Sequence, residues 1–110
     1  MSHVTNQVKL ALFSIADLTP RLVAEFGYPP DRAESVANRL VKANPAVKSA
    51  FWNWWQSGVL DETLTVEGYT LGWLMRERGM KPVAAFLALD WLSREPQAAK
   101  ATIAPQVLAK

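Results

Sequence analysis

Hydrophobic positions recur along this chain at helical spacing, not at the alternating spacing of strands. Val4, Val8, Leu12 and Ile15 fall on one side of a helix, with Ala11 alongside, and predict a first helix over about residues 4–16. Thr19-Pro20 reads as an N-cap followed by the first residue of a short helix, Arg21–Phe26, with Gly27 as its left-handed stop. Tyr28-Pro29-Pro30 should be extended, because a residue before proline avoids the helical region. The next helix is expected from Pro30 or Asp31 to Ala43. Ala33, Val36, Ala37, Leu40 and Val41 form its buried stripe. Asp31 and Glu34 suit the positive end of that helix, and Arg39 and Lys42 suit its negative end.

Proline starts and glycine stops continue to the end of the chain. Asn44-Pro45 opens a helix that runs to Ser57 and ends at Gly58; Val59–Leu64 is then a loop. Thr65 is expected to cap a helix from Val66 to Arg78 that stops at Gly79. Lys81-Pro82 opens a helix over Pro82–Ser93. Pro96 starts a last short one, which Pro105 interrupts, and residues 105–110 should fray. The stretch Leu64–Val66 is the only strand candidate, and it is too short to matter. The expected fold is all-α: a single compact domain, 1–110, of five to six short helices joined by short connections punctuated with Pro and Gly.

Composition narrows the chemistry. The chain has 110 residues and no cysteine, which removes disulfides, thiolate zinc sites and cysteine catalysis. Its one histidine is His3, so a multi-histidine metal site within one chain is excluded. The net charge of +2 arises from 12 basic and 10 acidic residues. Near balance of this kind argues against a dedicated nucleic-acid binder, which clusters Lys and Arg on one face. No apolar run approaches the ~20 residues of a membrane span. Leu10–Ala16 behind Lys9 has the look of a short signal core, but Ser14 and Asp17 suit a helix better, so a cytoplasmic protein is expected. There is no glycine-rich phosphate loop, no His-Glu-x-x-His and no Gly-x-Ser-x-Gly. The chain therefore reads as non-enzymatic, with no cofactor and no metal. Adjacent Asp61 and Glu62 are read as solvating their loop.

Three features remain as candidates. The first is the segment 68–92. Gly68 and Gly72, with Met75 beside them, would share a helix face, and Ala84, Ala85 and Ala88 give the following helix a small-residue surface. A core helical hairpin is the plain reading. A degenerate DNA-binding helix-turn-helix is the alternative, with Arg76, Arg78 and Lys81 as its contacts and Thr70 nearby. Against it, Val83–Leu92 is apolar nearly all round, whereas a recognition helix must offer polar side chains to base edges. The second feature is Asp90, the one charge in that apolar helix, read as lying at the helix edge and pairing with Arg94 four residues on, or else as accepting a bond from Arg76, Arg78 or a Trp indole N–H.

The third is the cluster Phe51-Trp52-Asn53-Trp54-Trp55. Val47, Phe51, Trp54 and Trp55 share an inward arc, while Trp52 points about 100° away from Phe51, above Lys48 and beside Gln56. Trp52, Lys48 and Gln56 are the expected interaction surface, taking a protein partner or a second copy of the chain. Nucleic acid is disfavoured as a partner and a membrane is not expected. A small apolar ligand between the Trp-bearing helices is a further alternative.

Overall fold

The computed structural model describes residues 15–103, and the chain divides into two compact units, Met1–Lys42 and Ala43–Lys110. His3, most of the expected first helix and the expected frayed tail lie outside the described residues. Six helices and one small hairpin are found in the described part: α1 (Ile15–Phe26), α2 (Pro30–Val41), α3 (Pro45–Ser57), β1 (Thr65–Val66), β2 (Tyr69–Thr70), α4 (Leu71–Glu77), α5 (Pro82–Arg94) and α6 (Pro96–Ile103). The chain is all-α with short connections.

Four of these helices open on proline, as the sequence predicts. In each, the carbonyl of the residue before the proline accepts the first helical bond: Pro29 from Ala33, Asn44 from Lys48, Lys81 from Ala85 and Glu95 from Ala99, at 2.8–2.9 Å. Proline loses nothing at this position, since the first N–H of a helix has no intrahelical acceptor. Asn44 adds a side-chain cap, its Oδ1 accepting from Ala46 N–H at 2.9 Å.

In the first unit, α1 packs against α2. Leu18 and Leu22 from one helix, and Ala33, Val36, Ala37 and Leu40 from the other, are buried. Val41, expected in the stripe, is only half-buried. The expected break at Thr19-Pro20 does not occur, and α1 runs straight through Pro20. Thr19 does not cap. Its Oγ1 donates to the Ile15 carbonyl one turn back, at 2.7 Å. An interior proline costs about 3 kcal/mol. Leu18 and Leu22 are one turn apart on either side of it and fully buried. Each leucine contributes roughly 1.5–3 kcal/mol on burial. Only an unbroken helix keeps both on the same face, so packing outweighs the local signal.

In the second unit, α5 packs against α3, α4, α6 and β1. None of its residues from Pro82 to Ser93 is exposed, which matches the apolar pattern expected of a central helix. The expected helix over Val66–Arg78 is corrected. Its first third is a β-hairpin, with Thr65 paired to Thr70 and Val66 to Tyr69. The two residues between them, Glu67 and Gly68, both have left-handed backbones, at φ 53° and 84°. That is the type I′ geometry whose twist matches a tight hairpin. Gly68 is therefore a turn residue, and it shares no helix face with Gly72.

The cap of α4 moves with the boundary, from Thr65 to Thr70. Thr70 Oγ1 accepts from Trp73 N–H at 3.0 Å. The two preceding N–H groups, of Leu71 and Gly72, donate to the carbonyls of Leu64 and Glu62, each at 2.9 Å. The loop before the hairpin thus closes the end of the helix after it. Gly72 allows this close approach, because a Cβ there would stand 3.0 Å from Glu62 Cβ. Its Arg76 neighbour donates to Glu62 Oε1 at 2.6 Å across the same spot.

Replacing Pro20 with Ala is expected to raise the unfolding free energy by about 1–3 kcal/mol, read from urea denaturation. A loss of stability would mean that the packing of α1 requires the proline. Gly68→Ala is expected to lower stability by about 1–2 kcal/mol, the cost of a left-handed backbone for a residue with a Cβ.

Candidate functional site

Helix α3, Pro-Ala-Val-Lys-Ser-Ala-Phe-Trp-Asn-Trp-Trp-Gln-Ser, has two faces of different chemistry. On the inner one, Val47 and Phe51 are fully buried and Trp55 nearly so. Phe51 lies 5.4 Å, centroid to centroid, from Phe86 of α5, edge to face at 88°. It also lies 5.2 Å from Trp55 and 5.8 Å from Trp54. Trp54 in turn lies 5.9 Å from Phe86. Edge-on and tilted pairs at these spacings are favourable beyond the area they bury. The four rings occupy the space between α3 and α5, which weighs against an apolar ligand there. Trp54, expected in the inward arc, does pack on Phe51 and Phe86, and it is half-buried. The buried row follows Val47, Phe51 and Trp55 at four-residue intervals, and Trp54 falls to its side.

The outer face carries the expected interaction residues. Lys48, Trp52 and Gln56 follow one another at four-residue intervals and so line one row. Lys48 and Trp52 are half-buried and Gln56 is exposed. The ring nitrogen of Trp52 is withdrawn from solvent. The exposed residues of the helix are Pro45, Ala46, Ser49, Asn53, Gln56 and Ser57, none of them charged. By contrast, exposed positions of α2 include Asp31, Arg32, Glu34 and Arg39. Just beyond α3, Val59 is 63% exposed, more than any other large hydrophobic side chain among the described residues. Its N–H donates to Ser57 Oγ at 3.2 Å, which holds it close to the helix end. Sequence reasoning missed Val59 and Ser49. The signal was the charge count, since α3 has one charged residue in 13.

Asp90 is both buried and paired. Its side chain is 2% exposed. Oδ2 accepts from Arg94 Nε at 2.9 Å, the pairing expected from spacing, and Oδ1 accepts from the backbone N–H of Asn44 at 2.8 Å. The second contact joins residues 46 apart in sequence and was not foreseen. It ties α5 to the N-cap residue of α3, and so sets where the outer face of α3 begins.

The residues of the helix-turn-helix alternative are distributed unfavourably for DNA. Arg76 is committed to Glu62 in an ion pair. Arg78 is half-buried at the C-terminal end of α4, and Lys81 is exposed. The second helix of such a unit would be α5, whose Asp90 is turned inward and whose residues from Pro82 to Ser93 are all buried or half-buried, leaving only Arg94 exposed, in an ion pair with Asp90. Nothing on it offers a row of donors to base edges. Asp61 and Glu62 also do more than solvate their loop. Asp61 Oδ1 accepts from Thr63 N–H at 3.1 Å, and Glu62 binds Arg76.

Among the described residues no group of three or more His, Asp or Glu side chains converges as a metal site would require, and no helix is long and apolar enough to cross a membrane. No protein-family model, curated protein or solved structure matches the chain.

Asp90→Ala is expected to lower the unfolding free energy by about 2–3 kcal/mol, since two hydrogen bonds to a charged acceptor are lost and Asn44 N–H is left without its partner. Arg94, half-exposed, can rehydrate and keeps the cost from rising further. Asp90→Asn should cost less, because its amide oxygen still accepts from Asn44. Equal losses in urea denaturation would show that the bond to Asn44 contributes nothing.

Proposed function

We propose that this chain is a non-enzymatic, cytoplasmic helical module for protein–protein interaction, with a regulatory role, and that it docks through the outer face of α3. The observation that carries this reading is the sparseness of charge on that face, where Lys48 is the one charged side chain and none of the fully exposed positions is charged. A helix surface meant only for water is normally rich in Lys, Glu, Asp and Arg. The centre of a protein interface is depleted of charge and enriched in aromatic residues. The exposed side chains of α3 are small or amide-bearing, Trp52 borders them, and Val59 stands exposed at the end.

Trp52 would act as an anchor. A half-buried tryptophan has few rotamers left to lose and still offers ring surface to a partner. Lys48 and Gln56 flank it at one turn on either side and would supply polar contacts at the rim.

A photoreactive side chain introduced at Gln56 tests the reading in cells that natively make the protein. Discrete adducts are expected from position 56, weakened by the added substitution Trp52→Ala. None is expected from Thr102, an exposed control position on α6. Absence of adducts at 56, or equal adducts at both positions, would overturn the interaction role of this face.

A further inference from the structure

Among the described residues, Glu67 is the one residue other than glycine with a left-handed backbone, at φ 53°. It fills the first turn position of the β1–β2 hairpin. Asparagine, aspartate and glycine are the usual residues there, because they take that backbone at the least cost. Glu67 instead carries its carboxylate out to α6, where Lys100 Nζ lies 3.1 Å from Oε1. Asparagine and glycine would ease the backbone but offer Lys100 no charge, and aspartate is one methylene shorter. A costly backbone and an ion pair thus fall on the same residue.

The segment Asp61–Gly68, which ends in this turn, is fastened to three helices. At its near end Glu62 is held twice by α4. Its carbonyl accepts from Gly72 N–H at 2.9 Å, and its carboxylate accepts from Arg76 at 2.6 Å. The Leu64 carbonyl accepts from Leu71 N–H, also at 2.9 Å. In its middle, β1 packs on α5. At its far end stands the Glu67–Lys100 pair. None of the residues of this segment is fully buried, so its release gives up little apolar packing.

We propose that Asp61–Gly68 is a strap that opens while the helices stay folded, and that the Glu67–Lys100 pair is the clasp that holds it shut against the strain at Glu67. Opening unzips β1 from β2, lets Glu67 leave the left-handed region, and uncovers the part of α5 on which β1 packs. Both partners of the clasp are half-exposed. A pair in that setting shifts an equilibrium by up to about fivefold. The strain of one left-handed residue with a Cβ opposes it with at least a similar factor, about fivefold or more. The strap is therefore poised, and the charge on Lys100 governs how often it opens.

Amide hydrogen exchange of the full chain, followed by NMR, tests this directly. The N–H groups of Leu71 and Gly72 report on the strap, since it holds their acceptors. The N–H of Leu89, fully buried in the middle of α5, reports on global unfolding. Leu71 and Gly72 are expected to be protected at least about tenfold less than Leu89, at rates that low urea does not change, while Leu89 exchange speeds up with urea. Equal protection and the same urea dependence at all three would overturn the strap. Lys100→Gln is expected to speed exchange at Leu71 and Gly72 about two- to fivefold and to leave Leu89 unchanged. Unchanged rates at Leu71 and Gly72 would overturn the clasp. Glu67→Asn removes strain and clasp together, so in the unaltered chain its effect is small. In the Lys100→Gln background, where the clasp is already lost, the same substitution is expected to slow exchange severalfold. An identical effect in both backgrounds would show that residues 67 and 100 are not coupled, and would overturn the clasp independently.

Discussion

The carboxylate of Asp90 is the polar contact on which the arrangement of α3 and α5 depends. A buried charge is expensive unless both its oxygens are satisfied, and here one binds a guanidinium on its own helix while the other binds the backbone of a residue 46 positions earlier. The apolar contacts between the two helices set their distance. They set direction poorly, because ring stacking among Phe51, Trp54, Trp55 and Phe86 tolerates sliding. A charged acceptor at 2.8 Å from one particular N–H does not. Position along α5 and the first turn of α3 are thus fixed at a single point, and the aromatic rings fill the space that follows from it.

Much of the fold was legible because the chain marks its own boundaries. Proline at the first helical position and glycine just past the last one act through backbone geometry alone, and no distant packing needs to be known to read them. The starts of α2, α3, α5 and α6 were found in this way. The two errors share a cause of the opposite kind. At Pro20 the local signal was a correct description of proline's cost, but the burial of Leu18 and Leu22 on either side outweighs it. At Glu67-Gly68 the apolar periodicity of the following residues extended too far back, and the left-handed pair that makes a hairpin turn was absorbed into a helix. A non-glycine residue with φ of 53° is uncommon enough that composition alone does not announce it.

The candidate site was half legible. The direction of Trp52 relative to Phe51 follows from helical geometry, so the row of Lys48, Trp52 and Gln56 could be drawn before any coordinates. What sequence periodicity cannot supply is which polar residues face water. The sparing use of charge on α3 has meaning only once Ser49, Asn53 and Gln56 are known to be its solvent side. Asn44 is a further case. As an N-cap it was expected, but its N–H as a ligand for a buried carboxylate depends on a tertiary approach that no local pattern encodes.

Two demands meet on α3, and they explain its composition. Its inner face must present large rings to Phe86, which leaves a 13-residue helix with four aromatic side chains in five consecutive positions. Consecutive residues on a helix are separated by about 100°, so they cannot all point into one core. Some aromatic surface must reach the border of the outer face, and Trp52 is the residue on which this falls. A helix that only tolerated such a spill would surround it with charges to keep it solvated. The outer positions of α3 do the reverse. Serine, asparagine, glutamine and alanine are residues whose desolvation costs less than that of a charged group. Core packing accounts for a tryptophan at this border, whereas the scarcity of charge around it, with Lys48 as the one charged neighbour on the helix, is what the proposed docking role explains.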